Sequence, residues 1–280
     1  MSLYQRLKTF VSERPALNRP YLVLRQQYRH VEAGLAALAS AMNGREASTR
    51  FILFGRGRSG TTALVSLLDG LPSVRCEGEI LHDWVPFPHL HVRGRSARAA
   101  SRTYGCKILS YQIRDVQWTL PSRREFLHTL HHEDGFQVLY LRRTNLLRHA
   151  LSNIRARRDT FHQEKDRAGE SGGQRSEREA LHVDPETVVD WMRSSEALRT
   201  YEETLLDGVP HLSLTYEDHI RNPDQHQATI DDICEFLDVE SAPVQSRYQK
   251  IAPPSLRDGV ENYDQLVRRL QGTRYERYLD

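Results

Sequence analysis

Three cysteines in 280 residues, Cys76, Cys106 and Cys234, are too few and too far apart for a disulfide framework. Flanked mostly by apolar residues, they read as reduced core side chains of a cytoplasmic protein. No apolar run approaches the roughly 20 residues that span a bilayer, and no stretch resembles a signal peptide, so any membrane contact is expected to be peripheral. No Cys/His cluster has metal-ligand spacing, and there is no internal repeat. An excess of one charge is missing too. With 39 basic and 37 acidic residues the formal charge is only +2, which argues against a chain-wide nucleic-acid surface. The charge is uneven, however: Arg142 to Arg158 holds six arginines and no acidic residue.

The length suits one large core, or one core with a small appendage. Residues 1–45 are mixed in polarity, with Leu3, Leu7 and Phe10 at helical spacing and breaks at Pro15 and Pro20. They are expected to form a helical extension packed on the main domain. "FILFG" (51–55) is a short apolar run ended by glycine, the pattern of a buried parallel strand. Further strands are expected at 106–113, at 136–141 and in "PHLSLTYED" from Pro210. Helices are expected at 61–72, 122–132, 145–159, 185–208 and 228–239. Strands alternating with helices argue for an α/β domain over 46–280, a P-loop-type three-layer fold whose central, mostly parallel sheet is flanked by helices. Residues 162–180 contain almost no apolar side chain and a Gly-Gly pair, the composition of a mobile loop.

The chemistry gathers where the first strand ends, in "FGRGRSGTT". Gly55 and Gly60 enclose four residues and Thr62 supplies a hydroxyl, so the stretch nearly spells a nucleotide P-loop, but position 61 is threonine where lysine reaches the terminal phosphates. A strand running through glycines into a helix leaves several backbone N–H groups aimed at one spot, where a phosphate binds. Gly57 and Gly60 allow close approach, Ser59, Thr61 and Thr62 offer hydroxyls, and Arg58 can supply the absent cation. Without the lysine, and with no aspartate placed to serve a metal, ATP chemistry is badly equipped. A single 5′-phosphate carrying another transferable group fits better.

"GRGRSGTTALVSLL" resembles the 5′-phosphosulfate loop of PAPS-dependent sulfotransferases, especially the bacterial and carbohydrate-type branches that begin the motif with arginine. The resemblance implies that Arg58, Ser59, Gly60, Thr61 and Thr62 grip the cofactor and that Arg58 helps draw the sulfonate from the phosphate. "VLYLRRTNLLRHALS" resembles the family's second motif, in which an arginine ending a strand and a serine on the next helix hold the 3′-phosphate. Ser152 is the serine. The arginine is Arg142 or Arg143, ten or nine residues earlier, against eight in the cytosolic animal enzymes. "LSLTYEDHI" is a third, weaker echo. The likeness covers roughly residues 50–240, and it implies PAPS as donor, PAP as product and no metal.

Transfer to a hydroxyl needs a general base. Cytosolic steroid and phenol sulfotransferases use a histidine two residues after a lysine on a strand; two residues after Lys107 this chain has Leu109. The carbohydrate-type and several bacterial branches use a glutamate soon after the first helix, and "SVRCEGEILHDW" offers Glu77 and Glu79. In an extended segment the two would share one side, with Gly78 leaving room for a ligand. Glu79 is preferred, Glu77 is second, and His82 and His149 are reserves. "HDWVPFPHLH" reads equally as a wall of the acceptor pocket or as a hydrophobic loop. The acceptor is expected to be a carbohydrate, glycolipid or small-metabolite hydroxyl. The alternatives are an atypical P-loop nucleotide kinase and an arginine-rich nucleic-acid-binding protein, the latter marked by steep salt dependence.

Overall fold

A computed structural model describes residues 47–99, 101–167, 180–245 and 255–279, plus Tyr28, Val31, Gly34 and Leu35, which are helical. The rest of the expected N-terminal extension lies outside the described residues. Five strands form one sheet: β1 (Thr49–Gly55), β2 (Val74–Glu79), β3 (Thr103–Leu109), β4 (Phe136–Arg142) and β5 (His211–Thr215). The order is β2-β3-β1-β4-β5, with every pairing parallel. Burial on both faces explains the unbroken apolar runs of β1 and β4.

Alternation sorts the side chains into two layers. Ile52 and Phe54 of β1 join Val138 and Tyr140 of β4 in one core, which also takes Phe126, Leu127 and Leu130 of α3 (Arg123–His132). Phe51, Leu53, Leu139 and Leu141 face the other side, against α1 (Thr61–Leu68) and α6 (His226–Leu237). Helices therefore cover both faces of an all-parallel sheet, an α/β architecture consistent with the three-layer P-loop-type fold.

A third core lies off the sheet. It joins α4 (Leu146–Arg167) and α5 (Pro185–Leu206) to the segment holding α7 (Leu256–Gly259) and α8 (Tyr263–Leu270). Leu181 bridges to Val260, and Asn262 exchanges hydrogen bonds with the Val183 backbone, so the C-terminal segment is stitched to the start of α5. Helix α4 runs to Arg167, past the 162 boundary expected for a mobile loop, and residues 168–179 lie outside the described residues. Three further elements differ from expectation: the strand expected at 106–113 is β3 at Thr103–Leu109, and Gln112–Val116 form a short helical turn. Residues 74–79 form an edge strand, and "PHLHVRGRSAR" is helix α2 (Pro88–Arg98), with a proline tolerated at its first turn. All three cysteines are buried and free.

The order places β1 between β3 and β4. The chain leaves β1 toward the β2/β3 side and leaves β4 toward β5, so the crevice for ligands in an open α/β sheet falls at the carboxyl ends of β1 and β4. One packing contact at the centre is unforgiving. A Cβ built on Gly105 would lie 1.9 Å from the Phe51 ring, whereas one on exposed Gly78 meets nothing within 4 Å. Gly105→Ala is expected to destabilise the fold by about 1–3 kcal/mol through overpacking, and Gly78→Ala to be close to neutral. Urea unfolding of both variants checks this.

Candidate functional site

The glycine-rich turn between β1 and α1 is held open by its own side chains. Gly55 passes so close to β4 that a Cβ would sit 2.2 Å from the Leu141 carbonyl oxygen. Arg56 turns inward, 2% exposed, and donates from Nη1 to the Ser195 carbonyl (2.6 Å) and from Nη2 to Glu202 Oε2 (2.8 Å). Glu202 is fully buried on α5, and it also accepts from Tyr140 Oη and Ser110 Oγ, both at 2.8 Å. Burial first, then the Glu202 charge, pushes the Tyr140 hydroxyl far up, so it stays a donor. Arg58 lies in the left-handed region at φ 65°, a conformation costing about 1–2 kcal/mol for a side chain with a Cβ. Its neighbour Gly60 is at φ 88°, and a Cβ there would meet the Tyr216 ring at 2.7 Å. Gly60 caps α1 without any side-chain hydrogen bond, and the first turn carries no acidic residue. The helix thus presents unpaired N–H groups and its positive end to the crevice.

The second motif arrives at the same place. Arg58 Nε donates to Ser152 Oγ (3.3 Å), and Arg143 Nη1 reaches the Arg58 carbonyl (3.5 Å). Arg143 is 9% exposed and its guanidinium lies 4.5 Å from the Tyr216 ring centroid. Glu217 accepts from the Thr144 and Asn145 amides (2.9 and 3.0 Å) and so fixes the chain between β4 and α4. Burial raises the Glu217 carboxyl, but those amide bonds outweigh it and hold the group below its usual range. Arg143 is shifted down, by burial first, and Arg148 and Arg58 add to that as like charges. Alternation decides between the two arginines. Arg142 continues the Tyr140 side of β4, while Arg143 sits on the loop beside Tyr216. Of the pair, the structure joins Arg143 to the loop.

His149, a reserve base, is instead a prop under the loop. It is 4% exposed, its Nε2 lies 2.9 Å from the Gly57 carbonyl, and its Nδ1 lies 3.1 Å from Ser195 Oγ. A carbonyl only accepts, so Nε2 carries the proton and Nδ1 accepts from Ser195. Burial, helped by the Arg56 and Arg143 charges, lowers its pKa to about 4.

The two carboxylates of β2 part company. In a regular strand they would share a face, but Glu77 pairs with Cys106 and Glu79 with Lys107, and the register shifts between them. Gly78 is the extra residue of a bulge, which re-aims everything after it. Glu77 consequently faces α2, taking Arg95 Nε (2.8 Å) and Tyr104 Oη (3.0 Å). Glu79 faces the loop. Its Oε1 pairs with Lys107 Nζ (3.1 Å), and its Oε2 accepts from Gln112 Nε2 (2.9 Å) and Tyr111 Oη (3.1 Å). The same ammonium donates to Thr62 Oγ1 (3.1 Å), a direct tie from loop to carboxylate. His82, exposed, lies 3.9 Å from Glu79 Oε2. Ser59 and Thr61 are buried, and Ser59 Oγ has no hydrogen-bond partner among the described residues.

Sequence reasoning missed Lys107, Gln112, Arg56 and Glu202 as parts of this assembly. Lys107 had a signal, a lone charge inside an apolar strand. Glu202 had none, because a glutamate on an amphipathic helix reads as exposed. Several arginines after Arg143 are spent on packing: Arg155 donates to the Gly259 carbonyl and Arg157 stacks over Trp191.

An open α/β sheet with a glycine-rich loop, an uncapped helix start and converging guanidiniums defines a crevice suited to a multiply charged anion with an acid–base group beside it. No family model, curated protein or solved structure matches the chain. Among the described residues there is no group of three or more His, Cys, Asp or Glu arranged to hold a metal ion, and no helix is long and apolar enough to cross a membrane.

The buried His149 sets a pH signature. Its folded pKa, about 4, lies below the ordinary 6.5, so between these values the unfolded chain binds the extra proton. Stability contributed by neutral His149 is intact above about pH 6.5 and falls as pH drops toward 4, by about 3 kcal/mol at most. In His149→Gln the slope of unfolding free energy against pH over this window should flatten by up to one proton. An unchanged slope would show that His149 titrates normally in the fold.

Proposed function

We propose that the chain is a PAPS-dependent sulfotransferase, moving a sulfonate group from PAPS to a hydroxyl of a carbohydrate, glycolipid or small metabolite. One observation carries the reading: two arginine motifs some 85 residues apart meet at one point, where Arg58 touches Ser152 and Arg143 touches the Arg58 carbonyl. Like charges gathered beside an uncapped helix start, with Arg143 buried and Arg58 exposed, call for an anion with more than one charged group. The residues fit the donor. The loop N–H groups and Thr62 would take the 5′-phosphosulfate, while Arg143 and Ser152 would take the 3′-phosphate.

In this reading Arg58 faces the oxygen that bridges phosphate and sulfur, where negative charge grows as the bond breaks. Glu79 is the base. A carboxylate has about four lone-pair sites, three of them are used by Lys107, Tyr111 and Gln112, and the group is 30% exposed, so a place remains for an acceptor hydroxyl. That hydroxyl gives its proton to Glu79 and its oxygen forms the new S–O bond. The S–O bond to the 5′-phosphate breaks, and its electrons leave on PAP. Glu77, tied to Arg95 and Tyr104, maintains the α2 contact.

The kinase alternative is disfavoured by Lys107. The hydroxyl that holds magnesium in a nucleotide P-loop corresponds to Thr62, which here accepts from an ammonium that would repel a dication. The nucleic-acid alternative loses part of its surface where Arg155 donates to the Gly259 carbonyl, while Arg157 stays exposed over the Trp191 ring.

Thermal shift with PAP, AMP, ATP–Mg and a short RNA tests the reading. PAP should stabilise the protein by about 2.7 kcal/mol at a hundredfold excess over Kd, and the others far less. Preferential stabilisation by ATP–Mg or RNA would overturn it. In single-turnover transfer, Glu79→Gln should keep PAP affinity and lose rate by about 10²–10⁴-fold, whereas Glu77→Gln should chiefly lower stability. Arg58→Ala should lose rate far more than PAP affinity.

A further inference from the structure

Beyond Glu79, the segments leaving β2 and β3 build a feature that the proposed reaction has not used. Trp84 and Trp118 stack with ring centroids 5.6 Å apart and planes 14° from parallel. Trp84 comes from the chain after β2 and Trp118 from the chain after β3, so both stand at the carboxyl end of the sheet, as Glu79 does. The pair is held by design of the backbone. Gln117, fully buried, accepts from the Val85 amide (3.0 Å) and donates to the Leu81 and Asp83 carbonyls (3.1 and 2.8 Å), clamping one segment to the other. Trp84 Nε1 donates to Thr119 Oγ1 (3.1 Å), which fixes the ring's tilt. Yet Trp118 is 67% exposed. A rigidly held indole with one open face forgoes the stabilisation that burying it would bring.

We infer that the Trp84–Trp118 stack is the acceptor subsite of this enzyme, and that it binds a sugar ring of a glycan whose hydroxyl is presented to Glu79. The inference rests on the sulfotransferase reading and narrows its acceptor class. A pyranose has a face of C–H groups and a rim of hydroxyls. The C–H face, weakly positive, packs on the negative face of an indole, and exposed His82 and Asp83, which lead directly into Trp84, carry groups that can hydrogen-bond the rim. Other acceptors fit less well. A small phenol needs a concave pocket that covers most of its surface, and Trp118 offers an open plane. A lipid surface favours an apolar patch bordered by basic groups, and the residue before Trp84 is an exposed aspartate, Asp83. The tie from Glu79 through Tyr111 and Gln112 makes the connection to chemistry, because those residues open the segment that ends in Trp118.

The test uses the intact chain saturated with PAP and follows tryptophan fluorescence and near-ultraviolet circular dichroism, in which the stacked pair gives an exciton signal. The probes are cellotetraose, chitotetraose, maltotetraose and a heparan-type tetrasaccharide, with 2-naphthol and anionic phospholipid vesicles as competitors for the interpretation. At least one tetrasaccharide should perturb the exciton signal saturably. Trp118→Ala, a change at an exposed position, should abolish the signal and weaken that tetrasaccharide by at least tenfold with PAP stabilisation unchanged, and Trp118→Phe should recover part of the affinity. Saturable binding only of 2-naphthol or of vesicles, binding of no glycan, or full glycan affinity in Trp118→Ala would each overturn the inference. PAP stabilisation, read on the same samples, separates this failure from failure of the sulfotransferase reading: if PAP does not bind, the reading itself is wrong.

Discussion

A fully buried carboxylate must be satisfied on all sides, and Glu202 meets that demand with groups from the ends of three neighbouring strands. Arg56 comes from the loop after β1, Ser110 from the end of β3 and Tyr140 from β4, while Glu202 itself rides on α5. Charges taken out of water are costly unless paired and hydrogen-bonded, and losing one partner typically costs about 3–5 kcal/mol. Three neighbouring strand ends are therefore locked to one helix, and the glycine-rich turn has a fixed starting point. His149 extends the lock, because it joins the Gly57 carbonyl to Ser195 on the same helix.

On this footing the loop holds an arrangement that its local chemistry resists. Arg58 occupies a left-handed conformation, and Arg143 is depressed by burial first, with the like charges of Arg148 and Arg58 adding to it. Glu217 and Tyr216 offset part of this, the first by fastening the amides behind Arg143 and the second by stacking on its guanidinium. What remains is a region of positive potential with Arg143 buried at its inner side and Arg58 exposed at its outer side, so salt screens an anion less beside Arg143 than beside Arg58. Preorganised charge of this kind acts without reorganising at the moment of reaction.

The acid–base side is organised by one extra residue. The bulge at Gly78 turns Glu79 toward Lys107 and leaves Glu77 on the opposite face, so two carboxylates two residues apart serve different tasks. Lys107 then spans from Glu79 to Thr62, coupling carboxylate and loop by a single ammonium. The same strand ends continue into the segments that carry the tryptophan stack, so the glycine-rich loop, Glu79 and the stack all stand at the carboxyl end of the sheet.

Much of the fold was legible in the chain. An apolar run ended by glycine identifies β1 and one that runs into two arginines identifies β4, alternation with amphipathic helices identifies an α/β sheet, and the glycine–arginine turn with the later arginine–serine pair identifies which residues to bring together. These signals are local, since they depend on spacing and side-chain type within ten or so residues. The edge strand β2 and helix α2 were not legible, because a bulged, charge-bearing strand and a proline-led polar helix carry weak periodicity. The choice of Arg143 over Arg142, the separation of Glu77 from Glu79, and the inward turn of Arg56 to Glu202 were decided by tertiary structure alone. Each depends on which face of a strand a neighbour occupies and on partners well beyond the local window, from Arg95, 18 residues after Glu77, to Glu202, 146 residues after Arg56, and such pairings acquire their energy only when burial removes water from both partners.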